Sequence, residues 1–64
     1  MSSYALAQEA IHAANRAYAC YEAATLAFRA ALIRRDVAAQ ETERERAVSA
    51  VGEYFDQLMI ANRE

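Results

Sequence analysis

His12 and Cys20 are the only histidine and the only cysteine of the chain, and they are its first candidates for reaction chemistry. A nucleophile and its base must be in hydrogen-bond contact, with a third group orienting the base. Eight residues of helix separate the two by about 12 Å, so within one chain His12 cannot activate Cys20. His12 reads as a rim histidine and Cys20 as a small residue on a helix face. A single cysteine excludes an intrachain disulfide and fits a reducing compartment. Glu9-Ala-Ile-His12 has the Glu-x-x-His spacing that places a carboxylate and an imidazole on one helix face, as carboxylate metal bundles use it. It occurs once, on a polar stripe with Gln8 and Asn15, and Glu22 and Glu53 are the only remote candidates for the further inward carboxylates. Gly52 is the only glycine, so no glycine-rich phosphate loop exists. These residues call for no metal and no cofactor, and the chain reads as a non-enzyme.

Nucleic-acid binding would rest on Arg34, Arg35, Arg44 and Arg46. Asp36, Glu41, Glu43 and Glu45 lie among them, and the net charge is −2. A phosphate-binding surface carries a clear basic excess, and a helix-turn-helix reader needs a third helix to hold its recognition helix. The charges therefore speak against nucleic acid.

The elements that carry these residues follow from composition and spacing. The 64 residues contain 17 alanines, one glycine and no proline. Sheets need turns, and turns need residues this chain lacks, so the fold class is all-α. Tyr4, Ile11, Tyr18, Thr25 and Leu32 recur every seven residues, with Ala7, Ala14, Tyr21 and Phe28 as the interleaved row. Together they read as a seam over four heptads. Ala10, Ala17, Ala24 and Ala31 form a third, flanking row. The second half has its own seam, Val37, Arg44, Val48, Val51, Phe55 and Leu58, widened by Tyr54 and Met59. The first seam extended past Leu32 meets mostly polar residues, so the phase breaks near residues 33–37. Asp36 is a good N-cap for a helix starting at Val37, and Arg34 and Arg35 suit the C-terminus of the preceding one. Ser2 or Ser3 can cap the first helix. The expected chain is one domain over residues 1–64: a helix over about 4–34, a turn near 35–36, and a helix over about 37–62. Residues 40–46, without an apolar side chain, read as a solvated helix with Glu41–Arg44 and Glu43–Arg46 pairs. Gly52 reads as a place of close helix packing.

Two helices make one line of contact and cannot enclose a core. Without disulfide or metal, a chain this small needs oligomerisation. The expected architecture is an antiparallel two-helix hairpin that dimerises into a four-helix bundle, most simply a C2 homodimer. Its dimer and core residues are Ile11, Tyr18, Tyr21, Phe28, Leu32, Val48, Val51, Phe55 and Leu58. Antiparallel pairing about residue 36 brings Tyr21 near Val48 and Val51, Tyr18 near Phe55, and Ile11 near Leu58. Half of a heteromeric bundle would show the same seams.

Leu6, Leu26, Ile33, Met59 and Ile60 fall outside both seams, with Tyr54 at the margin. Leu26, Ile33, Tyr54 and Met59 are the candidate residues for binding a protein partner, since exposed apolar patches on small proteins mark partners. Charges at Arg16, Glu22 and Arg29 interrupt every apolar stretch before the roughly 20 residues of a membrane span, and no basic region followed by an apolar block opens the chain. A cytoplasmic location is the expectation.

In its small size, hairpin pattern and alanine-rich first helix, the chain resembles the small phage-encoded anti-activators that bind host regulators. It is similar, on the same features, to small helical-hairpin secretion chaperones. Both resemblances imply one mechanism: occupy a surface on another protein and block or hold it. The expected function is thus a protein-binding module that inhibits or modulates a partner such as a transcriptional regulator. The alternatives are a secretion-chaperone or structural oligomerisation subunit and, more remotely, a small DNA-binding regulator.

Overall fold

The computed structural model describes residues 3–63, and within them the chain is two helices in contact with each other. Helix α1 spans Ser3–Arg34 and helix α2 spans Val37–Arg63. The capping role considered for Ser2 lies outside the described residues. Alanine has the highest helix propensity of any residue, and no proline interrupts either run. The hairpin is a rod whose Cα atoms extend over 49 × 13 × 13 Å.

The turn is made without glycine. Arg35 takes φ 60°, the left-handed conformation that usually favours glycine at a helix C-terminus. Its N–H donates to the Leu32 carbonyl at 3.1 Å, and the Asp36 N–H donates to the Ala31 carbonyl at 3.0 Å. These two bonds are a Schellman motif, which satisfies carbonyls that the end of α1 would otherwise leave unpaired. Gln40 Nε2 adds a longer bond of 3.4 Å to the Ala31 carbonyl. Asp36 then opens α2. Its Oδ1 accepts from the Ala39 N–H at 3.1 Å, and its carbonyl accepts from the Gln40 N–H at 3.0 Å. Asp36 is therefore the N-cap. The αL cost at Arg35 is carried by the two backbone bonds and the cap on either side of it.

The helices meet on small side chains. Ala10, Ala14, Ala17, Ala24, Ala31 and Ala50 are buried, and Ala24 and Ala31 have no accessible surface at all. In α1 the contact line runs Ala10, Ala14, Ala17, Tyr21, Ala24, Phe28, Ala31, alternating steps of four and three residues. In α2 it runs Gln40, Glu43, Ala47, Ala50, Tyr54, Gln57, Ala61, with the same alternation. Both lines have the 3.5-residue average of a coiled-coil seam, and alanine at the contact lets helices approach closely.

This corrects the seam read from the sequence. The row of Ala7, Ala14, Tyr21 and Phe28 does face α2. Its companion is the alanine row, whereas Tyr4, Ile11, Tyr18 and Leu32 stand one position to the side and are exposed. In α2, Val37, Arg44, Val48, Phe55 and Leu58 are likewise exposed, and Val51 is half-buried. Burial of large side chains inside the hairpin is thus not what joins the helices: among the described residues no large side chain is fully buried. Residues 40–46 are also only partly a solvated stretch. Gln40 and Glu43 turn toward α1, and the Glu43 side chain is only 15% exposed while Oε1 lies 3.2 Å from Arg46 Nη1. The Glu41–Arg44 pair, at 3.9 Å, is fully on the surface. Gly52 is exposed, and a Cβ built there meets nothing within 4 Å, so the glycine serves no close packing within the hairpin.

Candidate functional site

Many of the apolar side chains displaced from the contact line gather on one long face, opposite the flank that holds Leu6 and Ile60. Three tyrosines and a phenylalanine form its centre. The Tyr18 ring lies 5.7 Å from that of Tyr54 and 6.2 Å from that of Tyr21, and Tyr54 meets Phe55 edge-on at 5.4 Å. Tilted and edge-on arrangements at these separations are the favourable ones for aromatic pairs. Tyr18, Tyr21, Val51, Tyr54 and Phe55 line a wholly apolar depression of 190 Å³. Toward the open end of the hairpin, Ile11, Phe55, Leu58 and Met59 line a second depression with Ala61 and Asn62. Toward the turn the character changes: Tyr21, Thr25 and Phe28 share a smaller depression with Glu43, Arg44 and Ala47.

Of the proximities expected from antiparallel pairing, Ile11 beside Leu58, Tyr18 beside Phe55 and Tyr21 beside Val51 are present at the surface, each pair lining one depression, whereas Val48 lines none of the depressions that Tyr21 borders. The three pairs border open depressions instead of filling an interior. Phe55 is 57% exposed and Val48 62%. Leu32 also lies exposed, on the same seven-residue row as Ile11 and Tyr18.

Of the four candidate partner-binding residues, three stand outward and one does not. Ile33 is the most exposed of the large hydrophobic residues, at 84%. Leu26, one heptad earlier on the same row, borders the aromatic face through a depression shared with Tyr18, Tyr21, Glu22 and Thr25. Met59 flanks Phe55 and Leu58. Tyr54, by contrast, belongs to the α2 contact line, half-buried between Tyr18 and Phe55. Its position follows from the three-four spacing that begins at Gln40 and that the polar character of Gln40 and Glu43 conceals.

The opposite flank is a different surface. Leu6, Glu9, His12, Ala13 and Arg16 form a shallow groove there with Gln57 and Ile60. Glu9 and His12 are both exposed, and the described residues contain no group of three or more His, Cys, Asp or Glu placed to hold a metal ion. Cys20 is exposed and free. Arg34 lies 4.0 Å from Asp36, and with the pairs at Glu41–Arg44 and Glu43–Arg46 the turn-end arginines are interleaved with carboxylates. Among the described residues no helix is long and apolar enough to cross a membrane. Compared with known proteins, the chain matches no family model, no curated protein and no solved structure.

Proposed function

We propose that this chain is a non-enzymatic protein-binding module that pairs with a second copy into a four-helix bundle and acts by occupying the surface of a partner protein, such as a transcriptional regulator. The carrying observation is the inversion of side-chain size: six alanines fill the interior, and Ile11, Tyr18, Leu26, Leu32, Ile33, Val48, Phe55 and Met59 are displayed outside it. Burying one methyl group is worth about 0.8 kcal/mol, whereas burying a leucine or phenylalanine side chain gives about 1.5–3 kcal/mol. Most of the stabilisation this sequence can offer is therefore left for contacts beyond its own hairpin. Tyrosine, phenylalanine and methionine on such a face are the residue types that protein interfaces favour. The interleaved carboxylates at the turn give a phosphate backbone little to attract it.

The test separates the two halves of the proposal. Sedimentation equilibrium is expected to give about twice 7.1 kDa; a monomer at all concentrations rejects the bundle. Tagged chain is expected to capture a protein stoichiometrically from its native host, and Leu26→Glu with Ile33→Glu to lose that protein while remaining dimeric. Capture that survives the double substitution places the partner contact elsewhere. No stoichiometric protein at all rejects the partner-binding role.

A further inference from the structure

We draw no further inference here: the strongest candidate, the apolar depression that Tyr18, Tyr21, Val51, Tyr54 and Phe55 line at the centre of the aromatic face, carries nothing, because nothing in the structure shows what covers it.

Discussion

The contact line between the helices and the aromatic face beside it lie one residue apart in the sequence and differ in nearly every physical respect. The line is mostly alanine, with Tyr21, Phe28 and Tyr54 and the polar Gln40, Glu43 and Gln57 between the alanines, and it fixes how the helices lie against each other. The face is tyrosine, phenylalanine, leucine, isoleucine and valine, and it is open. Close approach of two helices requires small side chains, and small side chains have little apolar area to bury. Geometry and stabilisation are therefore assigned to different rows. A hairpin built this way has a defined shape but lacks the large buried side chains that hold small domains together.

Phe55→Ala separates the two rows most sharply. With a second copy over the face, the substitution removes a buried ring and is expected to lower stability in urea by about 3–5 kcal/mol. A lone hairpin, in which Phe55 is 57% exposed, would lose far less. Ala24→Leu probes the line itself. Ala24 has no accessible surface, so the added methylenes must push the helices apart, at an expected cost of about 1–3 kcal/mol by thermal or urea unfolding. An unchanged midpoint would mean that the helices can separate at that level without penalty. Asp36→Ala belongs to neither row. It removes the bond to the Ala39 N–H and is expected to cost about 1 kcal/mol, with the dimer mass unchanged. Gly52→Ala is the smallest effect and has the opposite sign. The added Cβ meets nothing, and replacing a helix-interior glycine is expected to stabilise by about 0.5–1 kcal/mol. A loss there would show that another chain packs against Gly52.

Much of this architecture was legible in the residues. The phase break after Leu32, the capping carboxylate of Asp36 and the absence of breakers elsewhere define two helices and their junction, because each is a local property of a few neighbouring side chains. Leu26 and Ile33 could be named as partner-binding candidates because they fall outside both seams, and both stand exposed. The contact line was misplaced by one row for a definite reason. Hydrophobic periodicity gives most weight to large side chains, and here the large side chains and the buried ones are different sets. Tyr54, read at the margin of the second seam and among the partner-binding candidates, sits half-buried on the α2 contact line between Ala50 and Gln57.

The sequence by itself determined the helices, the turn and the amount of apolar surface to be covered. These follow from propensity, capping and composition, which act over a few residues. Only the tertiary structure decided which row the helices share. Ala10, Ala17, Ala24 and Ala31 compete with Ile11, Tyr18 and Leu32 for the same contact. The alanines take it because two backbones can come together over methyl groups, as they cannot over rings. That choice turns the aromatic row outward and makes it available to another chain.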